Sequence, residues 1–103
     1  MAKNYTLRFL PLFEQDLNKI VDYITDVLQN EIAARNFVDA VEKAILERLP
    51  FAESFEQFQS SHERRYPYYQ IPVQNYTIFY VVIGDTMEVR RILYGRSNWK
   101  ERV

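Results

Sequence analysis

Two consecutive strands joined by a tight turn restrict the fold of this sequence more than any other feature. Apolar, β-branched and aromatic runs cover Tyr76–Ile83 and Met87–Tyr94, and residues 84–86 (Gly-Asp-Thr) between them favour a hairpin turn. The first run is apolar at odd and even positions alike, which predicts a central strand covered on both faces. The second run contains Arg90 and Arg91, and successive residues of a strand point to opposite faces. The sequence therefore predicts one arginine on each face of a sheet.

The composition indicates one folded domain over residues 1–103. The chain is 48% hydrophobic and 16% aromatic, so it is able to bury a core without disulfides. It has no cysteine and one histidine, which excludes a thiolate zinc site and disfavours other metals, so we expect no cofactor. The sequence shows no signal peptide and no apolar run of membrane-spanning length, which predicts a cytoplasmic protein without a membrane contact.

Charge is divided unevenly along the chain. Residues 1–63 hold six Lys/Arg against eleven Asp/Glu, whereas residues 64–103 hold seven against three. The basic half is the half that contains the hairpin. Two interpretations stay open, an anionic partner for the C-terminal half and charge pairing between the two halves.

The segments before the hairpin predict a strand, two helices and an edge strand. Residues 5–10 alternate as a strand does and end at Pro11. Apolar spacings of three and four predict a first helix over Leu12–Leu28, with Leu28 in its buried stripe, and a second helix from its N-cap Asn30 to Pro50. Residues 66–73 have strand composition but two prolines, which fits an edge or bulged strand.

The connector between the second helix and the edge strand carries three phenylalanines at spacings of four and three: Phe51, Phe55 and Phe58. They fit either a helical turn that plugs the edge of the core or a patch that binds a partner. The whole order is strand, helix, helix and three strands. It predicts an α+β fold of two layers, a helical hairpin on one face of a small, mostly antiparallel four-stranded sheet.

Four segments of the sequence resemble a known group of proteins: Ala34-Arg-Asn-Phe37, Leu49-Pro50, Ile71–Tyr80 and Val89–Trp99. In order and spacing they resemble the RelE/ParE toxin superfamily over nearly the whole chain. These proteins are the toxins of type II toxin-antitoxin modules, also called plasmid stabilisation proteins. The closing residues 92–96 (Ile-Leu-Tyr-Gly-Arg) are similar to the ParE-type ending, in which a histidine often stands at the position of Tyr94.

The resemblance implies a growth-inhibiting toxin that binds a cognate antitoxin, in a hetero-oligomer, and that poisons DNA gyrase as the ParE-like branch does. Two alternatives remain. A RelE-like protein would cut messenger RNA on the ribosome as an endoribonuclease. A chain that has lost toxicity would persist as the antitoxin's partner in an autorepressing complex.

The candidate catalytic residues apply only to the nuclease alternative. RNA cleavage through the 2′-hydroxyl needs a base, an acid and cations that offset charge on the phosphate. Arg90 and Arg91 are the candidate cations and Tyr94 the candidate proton-transfer group, with Arg65 and His62 as weaker candidates. The supply of bases is poor, because an unperturbed tyrosine has a pKa of about 10.

Other residues are candidates for contacting a target or partner. They are the basic and aromatic tail and two tyrosines of the edge strand: Arg96, Trp99, Lys100, Arg102, Tyr68 and Tyr69. Arg91, if the helices cover its face, is expected to pair with a carboxylate between Asp16 and Asp26 or to line a groove for the antitoxin. A β-bulge would exchange the roles of Arg90 and Arg91.

Overall fold

A computed structural model of the chain describes residues 3–57 and 65–95. The described part contains two α-helices and four strands in the predicted order. They are β1 (Thr6–Phe9), α1 (Pro11–Asp22), α2 (Glu31–Arg48), β2 (Tyr69–Val73), β3 (Tyr76–Ile83) and β4 (Thr86–Tyr94). A π-helical turn over Tyr23–Val27 extends α1, and a 3₁₀ turn over Leu49–Phe51 follows α2. Within the described ranges, no helix is both long enough and apolar enough to cross a bilayer.

The four strands form one open sheet in the order β1-β4-β3-β2. β1 lies parallel to β4, and the other two neighbouring pairs are antiparallel. The parallel pair follows from the connection, because the chain travels through both helices before it returns to the sheet. The α+β fold with a mostly antiparallel sheet is confirmed.

The helices cover one face of the sheet and build the main core there. Phe13 of α1 and Phe37, Val41 and Ile45 of α2 are buried against apolar side chains of β2, β3 and β4. As predicted, Asn30 caps α2, since its Oδ1 accepts a hydrogen bond from the Ala33 N–H at 3.0 Å.

The face away from the helices also holds buried apolar side chains. Tyr68, Phe79, Val81 and Leu93 form a second cluster, and Tyr66 and Ile83 pack against it. β3 therefore has buried side chains on both faces, as its continuous apolar run predicts.

The π-helical turn corrects the predicted end of the first helix. The Leu28 N–H bonds to the Tyr23 carbonyl five residues back, at 3.1 Å, and this wider turn shifts the phase of the residues that follow. Ile24 stays in the core, but Leu28 is 56% exposed. The prediction that Leu28 belongs to the buried stripe is therefore wrong.

A β-bulge lies at the two adjacent arginines of β4. Tyr80 pairs with Val89 and Phe79 pairs with Arg91, so Arg90 is the extra residue. The bulge reverses the alternation beyond it, so that Ile92 packs into the helix-covered core and Leu93 into the cluster on the other face, which simple alternation along β4 does not predict.

Candidate functional site

An apolar groove lies where both helices meet the edge strand β1. Its volume is about 550 Å³. Its lining side chains, here called the helix groove, come from β1, α1 and α2: Leu7, Phe9, Phe13, Glu14, Leu17, Val38, Val41, Glu42, Ile45 and Leu46. Phe9 stacks on Phe13 with ring centroids 5.4 Å apart, and Leu46 is 57% exposed. Only Glu14 and Glu42 in this lining carry charge, so the groove suits an apolar helix flanked by basic residues.

A compact ion network lies on the opposite face of the sheet. We call Arg8, Tyr68, Glu88 and Arg90 the open-face cluster. One carboxylate oxygen of Glu88 lies 3.1 Å from Arg8 Nε, and the other accepts a hydrogen bond from Arg90 Nε at 2.8 Å. Arg90 Nη1 also donates to the Tyr68 hydroxyl at 3.2 Å. Glu88 is only 7% exposed, so a buried carboxylate already faces both guanidinium groups.

Arg91 has a different partner, Asp16 of α1. Its Nε and Nη2 donate to the two Asp16 carboxylate oxygens at 2.7 and 3.0 Å. The hydrogen bond to Asp16 is the main cause that raises the pKa of Arg91. This pair matches one of the two alternatives for Arg91, that it pairs with a carboxylate of the first helix.

Asp16 also completes the free edge of β4. It accepts a hydrogen bond from the Ile92 N–H at 3.2 Å. β1 pairs with β4 only along residues 86–89, so a side chain of α1 bonds the strand where β1 has ended. The pair therefore holds α1 to the sheet.

The structure does not bring the three candidate catalytic residues together. Tyr94 packs edge-on against Tyr76 at 5.4 Å, and Tyr76 contacts Phe37 of α2, so both tyrosines lie on the helix-covered face. Arg90 lies on the other face and Arg91 pairs with α1. Of the two weaker candidates, Arg65 is exposed at the start of the second described range, and His62 lies outside the described residues.

The two candidate tyrosines of the edge strand are both buried. Tyr69 stacks on Tyr80 at 5.0 Å, and its hydroxyl accepts a hydrogen bond from Gln57 Nε2 at 2.8 Å. Tyr68 belongs to the open-face cluster. Their contact with a partner stays a prediction. The tail candidates Arg96, Trp99, Lys100 and Arg102 lie outside the described residues, as does Phe58 of the connector.

Comparison with known proteins gives a family match over most of the chain. The model of the "ParE toxin of type II toxin-antitoxin system, parDE" matches residues 7–99. The chain belongs to the ParE toxin family. It is therefore a toxin component of the type II toxin-antitoxin class. Among curated proteins, no sequence match was found.

Solved structures share the fold of this ParE-family chain at low sequence identity. The chromosomal ParDE TA system from P. aeruginosa contains a chain that superposes with a TM-score of 0.72 at 16% identity, covering 90% of this chain and 98% of that one. The archaeal RelE-RelB complex from Pyrococcus horikoshii OT3 gives a TM-score of 0.51 at 12% identity, covering 89% and 96%. At these identities the likeness concerns the fold.

A buried polar network that the sequence does not predict supports β2 in this ParE-family toxin. Arg48, in the last turn of α2, donates to the Tyr80 hydroxyl at 3.0 Å and to the Gln70 carbonyl at 3.1 Å. The Tyr80 hydroxyl donates to the Ala52 carbonyl at 2.7 Å, and burial raises the pKa of Tyr80 to about 12. The guanidinium carbon of Arg48 lies 3.4 Å from the ring centroid of the half-exposed Phe55. The only sequence signal was a basic residue at a helix C-terminus.

Proposed function

We propose that this toxin acts as the ParE-like branch does, by poisoning DNA gyrase rather than by cutting messenger RNA, and that a cognate antitoxin inactivates it through the helix groove. Membership of the ParE family supports the class of toxin. The observation that carries the choice of mechanism is the position of Glu88 between Arg8 and Arg90.

Glu88 opposes RNA binding at the open-face cluster. A ribonuclease needs cations aimed at the phosphate whose charge grows in the transition state. Here both guanidinium groups face a carboxylate that is itself shielded from water. An RNA phosphate would have to displace Glu88, or approach it against like charge, and Tyr94 is on the other face. The cluster therefore supports a structural role for Arg90.

The charges of the helix groove support a helical antitoxin segment. An amphipathic helix would bury its apolar stripe against Phe9, Phe13 and Leu46, and its Lys or Arg side chains would reach Glu14 and Glu42 at the rim. The groove is thus complementary to a segment that is apolar on one side and basic at its borders.

The edge strand β2 is less suited to pairing with an added antitoxin strand. Pro72 has no N–H to donate, and the Gln70 carbonyl already accepts a hydrogen bond from Arg48. Two positions of β2 are thereby withdrawn from pairing with another strand. An antitoxin segment can bind by helix docking or by strand addition, and the described residues favour helix docking.

The proposal is tested with the purified chain in two assays run side by side. We expect inhibition of gyrase supercoiling or trapping of cleaved DNA, and intact messenger RNA on programmed ribosomes. Arg90→Ala serves as a matched variant, because it removes the cation that a nuclease would need. Codon-linked cuts in the ribosomal A site that disappear in Arg90→Ala would contradict the proposal. Inactivity in both assays would favour a chain that has lost toxicity.

A further inference from the structure

A second apolar surface lies at the far end of α1 from the helix groove. We call Tyr23, Val27, Leu28 and Tyr94 the tip patch. All four residues are more than half exposed, and Tyr94 reaches 67%. Phe13 and Leu17 of α1 line the groove, whereas Tyr23 lies ten residues beyond Phe13, which is about 15 Å along a helix. The tip patch is therefore separate from the groove.

Three of the four tip-patch residues belong to one short segment of the chain, the π-helical turn and its C-cap, and the fourth ends β4. In the π-helical turn, Val27 and Leu28 lie one turn beyond Tyr23, and the Leu28 N–H bonds to the Tyr23 carbonyl. Tyr94 packs against Tyr76. Burial is the main cause that raises the pKa of Tyr76, and the neighbouring hydroxyls of Tyr94 and Tyr23 raise it further.

The local backbone exposes this apolar surface. An unbroken α-helix would bring Leu28 onto the face of Ile24, where it would be buried. The π turn, a rare form that is frequent at functional sites, moves it outward instead. Tyrosines are enriched at protein-binding surfaces, and an exposed apolar patch often marks such a surface.

The charge around the tip patch selects the kind of partner. The segment from Asp22 to Glu31 holds three carboxylates, with Asp26 between them, and no basic residue. All three are exposed, and the exposed Lys19, one turn before Tyr23, offsets one of them, so this end is net acidic; it repels the phosphates of a nucleic acid and attracts cationic side chains.

From this surface we infer that the tip patch docks the protein that the toxin acts on, through a segment that is apolar and basic, while the antitoxin uses the groove. The inference rests on the proposed function in one respect, that the target is a protein. It adds the surface, the residues and the chemistry of the partner.

The test compares two charges at one exposed position. Binding of purified gyrase holoenzyme to the immobilised chain is measured for wild type, Val27→Lys and Val27→Glu. Val27→Lys should weaken binding at least ~10-fold, because it places a cation against a basic segment, and Val27→Glu should weaken it less. Leu46→Glu in the groove is the matched control. It should leave gyrase binding unchanged and abolish binding of the cognate antitoxin.

Several results would overturn the inference. Gyrase binding that is equal in wild type and Val27→Lys overturns it and leaves the proposed function intact. If wild type does not bind gyrase, the proposed gyrase target is wrong. The inference is then decided by growth arrest on expression: Val27→Lys must abolish the arrest, and a variant that still arrests growth overturns the inference. Dimerisation of the wild type that Val27→Lys prevents would assign the patch to a second copy. Another outcome is that Val27→Lys and removal of residues 96–103 each lower the melting temperature, with the combined change lowering it no further than either alone. That result would assign the tip patch to the chain's own tail.

Discussion

Replacing Glu88 by glutamine changes one charge in the open-face cluster and almost nothing in its shape. The amide can still accept one hydrogen bond, but Arg8 and Arg90 then face each other without an anion. The Arg90 contact is shielded, since the two side chains are 16% and 9% exposed, and a hydrogen bond to a charged group contributes about 1.5–3 kcal/mol. The Arg8 contact is half solvent-exposed and contributes about 0.5 kcal/mol.

Glu88→Gln should therefore lower the free energy of unfolding by about 2 kcal/mol. For a domain of this length, that corresponds to a fall in melting temperature of about 10 °C. Circular dichroism during heating measures it, with Arg8→Ala as the control that costs about 0.5 kcal/mol. Because the variant exposes two uncompensated cations, sulfate should raise its melting temperature more than that of wild type. An unchanged melting temperature, with sulfate acting equally on both proteins, would refute the claim that Glu88 neutralises this face.

Three further predictions follow from other contacts. Asp16→Ala removes the Arg91 pair and the hydrogen bond from the Ile92 N–H, so the free energy of unfolding in urea should fall by about 3 kcal/mol. A fall below about 1 kcal/mol would contradict the role of Asp16 in holding α1 to the sheet. Tyr80 has a pKa of about 12 in the folded chain and about 10 when unfolded. The contribution of the neutral Tyr80 hydroxyl to the free energy of unfolding is therefore complete below pH 10 and declines as pH rises towards 12. Tyr80→Phe should remove this part of the alkaline decline, and equal slopes in both proteins would refute it. A chain that ends after Gly95 should keep near-native circular dichroism and lose growth arrest; a folded but toxic truncation would exclude the tail as effector.

The sequence predicts the fold because periodicity and turn residues are local signals. The continuous apolar run of β3, the stop at Pro11 and the cap at Asn30 each specify a local conformation that the structure contains. The position of Leu28 was not predicted, because apolar spacing assumes 3.6 residues per turn and does not show where a π turn will form.

The candidate site is less predictable because it depends on long-range contacts. Asp16 and Arg91 are 75 residues apart, and only a range of carboxylates was expected as the partner. Alternation along β4 assigns Glu88 to one face of the sheet but indicates no partner for it. Its role appears only when the parallel pairing of β1 places Arg8 opposite it in the register. The bulge at Arg90 is likewise a product of strand pairing.

The most direct test of the proposed mechanism is made inside cells that express the chain without an antitoxin. In one culture, DNA double-strand breaks at gyrase sites and the 5′ ends of messenger RNA are mapped during growth arrest. The account predicts gyrase-dependent DNA breaks that increase with toxin expression, and messenger RNA ends identical to those of uninduced cells. Arrest with codon-linked messenger RNA cuts and without DNA breaks would contradict it.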